Sequence, residues 1–414
     1  MALPRGSAHQ WTSRFGRFLT STALAAAAFG STLIHVSEAR AEPSPILWGA
    51  YIDGVPWDGS KLQAFESSTK PVSIIHFGQP WSRKGAYQPF PGKDFQSIRN
   101  HGSIPMLGWG SWDYCCGTDQ PEFRLAAIAS GVHDAYLMQW ARAAKEWGHP
   151  FFLRFDWEMN GWWQFPWAEQ TNGNQGGDYV RAWRHVHDIF TQQGATNATW
   201  VWCPNVSSPR TTPLHEVYPG DDYVDWTCMD GYNFGTDNNN EWQSFEQVFG
   251  GSAYNGYHNT YQQLVDLAPG KPIMIAETAT SRNGGDAGAW VRDALTQQLP
   301  NRFPQIKALV WFNWNAGDPG LSWPIESSPA TQSAFAASIA SPYFASNQFG
   351  ALESRGPIQP VGGLAQPAPP PSAPAVAADF SDLVAASAPA FDDAQNDLTI
   401  ASAPADFELD PAES

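Results

Sequence analysis

Two glutamates at the ends of apolar runs are the residues of this sequence best placed to do chemistry. Glu158 follows the run 151–157, and Glu277 ends the run 273–277. An ionisable group beside an apolar strand is costly to bury without a partner. Two carboxyl groups about 5–5.5 Å apart can cleave a glycosidic bond with retention of configuration, one as the nucleophile and one as the acid/base. The pair therefore predicts glycosidic-bond hydrolysis.

The elements that carry these residues read as alternating strands and helices. Eight short apolar or aromatic runs are typical of buried parallel strands: residues 46–52, 72–78, 104–109, 151–157, 200–204, 226–232, 273–277 and 308–314. Helical periodicity is clearest over residues 130–147, and further helices are predicted at 178–193, 259–267, 289–299 and 327–339. Eight such units predict an α/β fold, a (β/α)₈ TIM barrel.

An open doubly wound sheet is the alternative fold, but no glycine-rich phosphate turn follows the first predicted strand. In a barrel the catalytic residues gather where the strands end. His76 and Trp109, at the ends of the second and third runs, are therefore further candidates for substrate contacts. For His76 a rim histidine with a protein partner is the alternative. Trp109 would join Trp112 in an aromatic loop that shapes distal subsites.

The two ends of the chain differ from the barrel region. Residues 1–41 combine arginines, an apolar stretch at 18–36 and a small-residue cleavage site, as secretory signal peptides do. An uncleaved anchor is the alternative, although the stretch is weakly hydrophobic for a spanning helix. Residues 347–414 are rich in Pro, Ala, Ser and Asp, which predicts a disordered tail. We therefore expect a catalytic domain at 42–346 and export to the cell exterior or the periplasm.

The charge distribution excludes one class of partner. Nine acidic residues and no Lys or Arg follow Gly356, so the tail carries nine of the 17 net negative charges. The chain lacks the basic face that nucleic acid requires, so no nucleic-acid partner is expected. A monomer is expected.

The four cysteines leave their connectivity open. Export permits disulfides, but the neighbours Cys115 and Cys116 are not expected to bridge easily, because disulfide geometry is specific. Neither these two nor Cys203 and Cys228 follow the spacing of a structural metal site. No metal and no cofactor is predicted.

The segments around both glutamates resemble glycoside hydrolase family 26. The resemblance runs through residues 154–167, 200–205, 218–225, 229–233, the Glu277 segment and 309–313. These motifs fit in order and spacing over residues 125–344, most of the predicted folded part. Membership implies a barrel, retention of configuration, no metal, and mostly β-mannan substrates, although some relatives cleave mixed-linkage β-glucan or β-1,3-xylan.

The resemblance also implies roles for individual residues. Glu158 matches the acid/base and Glu277 the nucleophile. Tyr232 matches a tyrosine whose O–H holds the nucleophile ionised and oriented. Trp311 matches an aromatic residue that packs under the cleaved sugar. A core tyrosine and a barrel-filling tryptophan are the structural alternatives for these last two residues.

Three residues close to Glu158 complete the predicted site. Trp162 and Trp163 resemble wall residues of the cleft, and Asn160 either bonds the substrate or caps the loop. Asp156 is a secondary candidate, either beside Glu158 or as a structural partner of Arg154.

One departure from the family pattern affects the predicted substrate. Many mannanases of the family carry His before the acid/base, where this chain has Trp157, and an indole offers a single donor. An endo-1,4-β-mannanase is the first prediction, with a β-1,3-1,4-glucanase or a β-1,3-xylanase as alternatives. A non-catalytic carbohydrate-binding barrel is disfavoured, since a binder has no use for two desolvated acids.

Overall fold

Eight apolar runs pair in parallel and close into a barrel. The computed structural model describes residues 43–161, 165–236, 240–250, 259–315, 323–353 and 356–363, all within the unit 43–414. The predicted signal peptide and the tail beyond residue 363 lie outside the described residues.

The strands are β1 Ile46–Ile52, β2 Ile74–Arg83, β3 Ala86–Tyr87, β4 Ile104–Asp113, β5 Phe151–Phe155, β6 Ala198–Trp202, β7 Trp226–Asp230, β8 Ile273–Thr278, β9 Ile306–Asn313 and β10 Phe344–Ala345. Neighbours follow the order β1-β2-β4-β5-β6-β7-β8-β9, and β9 pairs with β1 again, which closes the ring. The short β3 pairs antiparallel with the end of β2, and β10 pairs with the start of β1. The predicted (β/α)₈ fold is confirmed, and the open sheet was the wrong alternative.

The helices are α1 Gly59–Ser67, α2 Gly92–His101, α3 Leu125–Ala129, α4 Asp134–Trp147, α5 Asp178–Gln193, α6 Leu214–Val217, α7 Phe245–Phe249, α8 Thr260–Leu267, α9 Ala287–Asp293, α10 Leu299–Arg302 and α11 Pro329–Ile339. A π-helical segment, Ala294–Gln298, joins α9 to α10. Among the described residues, no helix has both the length and the apolar character needed to cross a bilayer.

The strand that precedes Glu158 ends earlier than predicted. The run 151–157 predicts a strand through residue 157, but β5 ends at Phe155. The backbone leaves the extended conformation at the next residue, because Asp156 has φ 40°. The turn that carries Glu158 therefore begins directly at the barrel rim.

The folded part extends beyond the predicted boundary at residue 346. Phe349, Ile358 and Val361 are buried against the barrel, and the Phe349 N–H donates to the Gly102 carbonyl at 2.8 Å. Gly102 ends α2 with φ 97°, and a Cβ there would lie 2.1 Å from the Asn347 carbonyl oxygen. This close approach requires glycine. Residues 347–353 and 356–363 therefore belong to the folded domain and not to the tail.

The structure contains two disulfides, and one corrects an expectation. Cys203 after β6 pairs with Cys228 of β7, and both are buried. Cys115 pairs with its neighbour Cys116, a pairing that the sequence did not favour. Both of these residues are exposed in the loop after β4, where the chain turns with few packing constraints.

Candidate active site

Glu158 lies on a turn of left-handed backbone that joins three strand ends. Asp156 and Glu158 have φ values of 40° and 53°, a region in which non-glycine residues persist only when their surroundings hold them there. The Asp156 N–H donates to the Trp109 carbonyl at 3.2 Å, and the Glu158 N–H donates to the Cys203 carbonyl at 2.7 Å. The turn is therefore fixed to the ends of β4 and β6.

The Asp156 side chain strengthens the link to β4. One carboxylate oxygen accepts from the Ser111 N–H at 2.8 Å, and the other accepts from the Ser111 O–H at 2.7 Å. The side chain is fully buried, and this burial raises the pKa of Asp156 well above its ordinary value despite the two donors. Asp156 thus has Ser111 as its partner, and the predicted alternative of a pair with Arg154 is wrong.

The Glu158 carboxylate is positioned by an amide. Asn205 Nδ2 donates to Glu158 Oε1 at 2.7 Å. Asn160 in turn holds the Asn205 main chain, because its Oδ1 accepts from the Asn205 N–H and its Nδ2 donates to the Asn205 carbonyl, both at 2.9 Å. Asn160 is fully buried in these contacts. Of its two predicted roles, the structure shows the one that shapes the loop.

Glu277, on β8, is bound by two donors. Arg154 Nη1 donates to Glu277 Oε1 at 2.5 Å, and the Tyr232 O–H donates to Glu277 Oε2. Burial, followed by the Glu277 charge, raises the pKa of Tyr232 well above its ordinary value, so the phenol keeps its proton. The tyrosine contact implied by the family resemblance is present.

A second acid shares the arginine. Arg154 Nη2 also bonds Asp230 at the end of β7, and both side chains are buried. Burial alone would lower the pKa of Arg154, but the Asp230 and Glu277 carboxylates outweigh it and raise that pKa. The Glu158 charge acts on Arg154 in the same direction. The positive charge of Arg154 therefore lies within the field of both candidate glutamates.

Aromatic rings surround this charged centre. Tyr232 stacks on Trp323 at 4.5 Å between ring centroids, and Phe312 packs against Tyr51 at 4.7 Å. On the other side, Trp157 lies with its ring 5.2 Å from the Arg154 guanidinium carbon. Apolar ring faces next to hydrogen-bonding groups are typical of sites that bind sugars.

His76 is inside the barrel near Arg154. It is 2% exposed, and its ring packs edge-on against Tyr51 at 5.5 Å. Burial and the Arg154 charge lower the pKa of His76 well below its ordinary value, so the imidazole is neutral. A Cβ at Gly108 would lie 3.2 Å from His76 Nε2 and 3.6 Å from the Trp157 ring. The glycine therefore provides the space in which these two side chains lie side by side.

Two predicted site residues lie elsewhere. Trp311 packs against Phe335 of α11 at 4.8 Å and is 1% exposed, and Trp109 packs against Trp140 of α4 at 4.6 Å. Both rings point from the barrel to the surrounding helices. Successive residues of a strand face opposite sides, so Phe312 takes the inward position that was predicted for Trp311. Trp162 and Trp163 lie outside the described residues.

Three residues of the site were missed as candidates. Arg154 is a charged residue within an apolar strand, which by itself signals a buried partner. Asp230 and Asn205 are polar residues at strand ends, the same signal that identified Glu158 and Glu277. Applying that rule to all eight strands would have found both.

Potential metal ligands come together at two places among the described residues. Asp113 lies with Cys115 and Cys116, and Asp230 lies with Cys203 and Cys228, each set within 4.8 Å. The cysteines of both sets are joined in disulfides, so neither set offers the thiolate that binds soft metals.

Comparison with known proteins points to one family. Residues 95–261 match glycosyl hydrolase family 26. Endoglucanase H of Acetivibrio thermocellus is 33% identical over 301 residues, which are 70% of this chain and 30% of that protein. Mannan endo-1,4-beta-mannosidase A and B of Caldalkalibacillus mannanilyticus is 34% identical over 80 residues, 18% of this chain and 15% of that protein. The chain thus spans less than a third of the length of these curated relatives.

A solved structure shares the architecture. The endo-beta-1,4-mannanase double mutant of Cellulomonas fimi is 17% identical, with a TM-score of 0.52 over 76% of this chain and 75% of that chain. At this identity the likeness shows the fold alone, which is the barrel described above. The family match includes Glu158, Asn205 and Tyr232. Residues 95–261 of this chain thus belong by sequence to glycoside hydrolase family 26.

Proposed function

We propose that this chain is a retaining β-glycoside hydrolase in which Glu277 is the nucleophile and Glu158 the acid/base. The observation that carries this proposal is the different set of partners of the two glutamates. Glu277 receives a guanidinium N–H and a phenol O–H, which suit an anion, whereas Glu158 receives the neutral amide of Asn205. An amide partner tolerates either protonation state of a carboxyl group.

The geometry supports a two-step reaction. In the first step Glu277 attacks the anomeric carbon, while Glu158 gives its proton to the departing glycosidic oxygen. In the second step Glu158, now ionised, takes a proton from water, and the resulting hydroxide releases the sugar from Glu277. Arg154 and Tyr232 hold Glu277 in place, and Asn205 holds Glu158.

Alanine variants of the two glutamates test these roles. Glu277→Ala removes turnover of all substrates. Glu158→Ala removes turnover of polysaccharide but spares aryl glycosides with good leaving groups, because such groups depart without a proton. The exposed Glu216→Ala serves as the control. Near-normal polysaccharide hydrolysis by both glutamate variants would contradict the assignment.

Two polysaccharide backbones are candidate substrates. The family resemblance predicts mannan, with endo-1,4-β-mannanase activity. Mixed-linkage β-glucan is the second candidate, because the match that covers most of this chain is to a protein named endoglucanase. Trp157, where many mannanases of the family have His, counts against mannan. Reducing-sugar release and product size on galactomannan, glucomannan, lichenan and β-1,3-xylan distinguish the candidates. Binding without any hydrolysis would instead indicate a carbohydrate-binding barrel.

A further inference from the structure

A small pocket opens beside the two glutamates, between the ends of β6 and β7. Its volume is about 30 Å³, and its polar lining comes from Asn205, Tyr232 and Gln243. Asn205 donates to Glu158, and Tyr232 donates to Glu277. The pocket is therefore lined by one partner of each glutamate, which places it next to the candidate catalytic pair.

The main chain of Gln243 is held by two hydrogen bonds, but its side-chain amide nitrogen lacks a partner among the described residues. Its N–H donates to Asn233 Oδ1 at 2.9 Å, and its carbonyl accepts from Trp290 Nε1 at 2.8 Å. The residue is 8% exposed, and its Nε2 is buried without a hydrogen-bond partner among the described residues. A buried donor left unsatisfied costs about 1–3 kcal/mol. An amide nitrogen without a partner, on a residue that lines a pocket, is suited to binding a ligand.

The size and chemistry of the pocket define the ligand group. A volume of this size holds about two non-hydrogen atoms, at roughly 10–15 Å³ for each water-sized centre. The rest of the lining is apolar and includes Val206, Phe234 and Val248. A hydroxymethyl group consists of one carbon, which suits the apolar wall, and one hydroxyl oxygen, which accepts from an amide N–H. Hexopyranoses carry this group on C5, whereas xylopyranose carries hydrogen.

We propose that the Gln243 pocket binds the hydroxymethyl group of a hexose unit that flanks the cleaved bond. The pocket then selects backbones built from glucose or mannose and discriminates against xylan. This inference rests on the proposed hydrolase function and extends it to the substrate class.

Oligosaccharides of the preferred backbone, in which either flanking unit is replaced by its 6-deoxy analogue, test the proposal. The wild-type protein should show a kcat/KM about 5- to 150-fold lower for one of these analogues, since one lost hydrogen bond to a buried polar group corresponds to about 1–3 kcal/mol. Gln243→Leu and Gln243→Met should lower kcat/KM for the normal substrate and bring the ratio between substrate and analogue close to one. The exposed Gln297→Leu should keep the wild-type ratio.

The outcomes separate this inference from the proposed function. If the Gln243 variants keep the wild-type ratio, or if the wild-type protein cleaves both 6-deoxy analogues as fast as the normal substrate, the pocket holds only water and the inference is wrong. The roles of Glu158 and Glu277 would then stand on their own variants. Because the readout is a ratio within one variant, a partial loss of folded protein does not change it.

Discussion

At the scale of single residues, the centre of the site is a buried group of three charges. Arg154 lies between Asp230 and Glu277, and removing one partner of such a group leaves an uncompensated buried charge. Asp230 balances Arg154 deep in the barrel, while Glu277 is slightly exposed at the rim. The cluster therefore holds the Glu277 carboxylate in place from below and leaves its outer side partly exposed.

The buried Asp156 makes stability depend on pH. Its pKa is raised in the folded protein, so the folded state keeps a proton that the unfolded chain releases above about pH 4. The contribution of protonated Asp156 to the free energy of unfolding is then fully present below that pH, and it is lost as the pH rises towards the pKa of Asp156 in the folded protein. Asp156→Asn removes this loss, because an amide has no proton to release in that range.

Thermal unfolding at pH 5 and pH 8 measures the effect. The melting temperature of Asp156→Asn relative to wild type should be higher at pH 8 than at pH 5. The exposed Asp222→Asn should show no such trend. A difference that shrinks with rising pH would mean that Asp156 is ionised in the folded protein.

Carboxylates at strand ends could be singled out from the sequence, but the face of the strand that each tryptophan takes could not. A carboxylate at the end of an apolar strand is costly to bury without a partner. Glu158 and Glu277 could therefore be recognised as candidates. Trp311 and Phe312 are both apolar neighbours in a strand that is buried on both faces, and composition does not say which of them points inward. For the same reason Trp109 was predicted to face the site, whereas its ring faces Trp140 of α4.

At the scale of elements, the Cys203–Cys228 disulfide joins the ends of two strands that carry site residues. Cys203 accepts the Glu158 N–H, and Cys228 lies two residues before Asp230. A disulfide stabilises mainly by restricting the unfolded chain, and more so for longer loops. The loop here has a sequence separation of 25, whereas Cys115–Cys116 has a separation of 1.

Replacing each disulfide in turn compares the two loops. The double variant Cys203→Ser/Cys228→Ser should lose about 3 kcal/mol of unfolding free energy in urea titration. The matched variant Cys115→Ser/Cys116→Ser should change it by less than about 0.5 kcal/mol, as most surface substitutions do. Equal losses in the two variants would mean that loop length is not the cause.

Strand positions were predictable because each strand is a continuous apolar run. All eight predicted strands are present, and the run 46–52 has the observed bounds of β1, Ile46–Ile52. The predicted helix 130–147 instead begins at Asp134, because Gly131 has φ 91° and separates α3 from α4. Such a break depends on the backbone angle of a single residue, and the apolar periodicity of the surrounding sequence does not reveal it.

At the scale of the whole molecule, the segment 347–363 completes the barrel on the side where the strands begin. The Ile358 N–H donates to Thr199 Oγ1 at 2.9 Å, and its carbonyl accepts from Trp226 Nε1 at 2.7 Å. This segment was predicted to be part of the tail because it is rich in Pro and Gly. Its three buried apolar residues follow neither a helix nor a strand period, so the pattern does not reveal them.

Two truncated chains test where the folded domain ends. A chain that ends at Ser346 should lose about 3 kcal/mol or more of stability, since burying Phe349 and Ile358 contributes about 1.5–3 kcal/mol each. A chain that ends at Gly363 should keep the wild-type melting temperature and activity, because the composition of residues 364–414 cannot bury an apolar core. A stable chain ending at Ser346 would contradict the role of this segment.

The docking of Ile358 beneath the barrel also determines how the protein can be tethered. Thr199 and Trp226 lie at the starts of β6 and β7, whereas Glu158 and Glu277 lie at the opposite rim, where the strands end. A few residues beyond Ile358, the described chain ends on the face away from the cleft. Immobilisation through a tag after Gly363 should therefore leave the mouth of the barrel open, so that a solid support presents the rim with Glu158 and Glu277 outward.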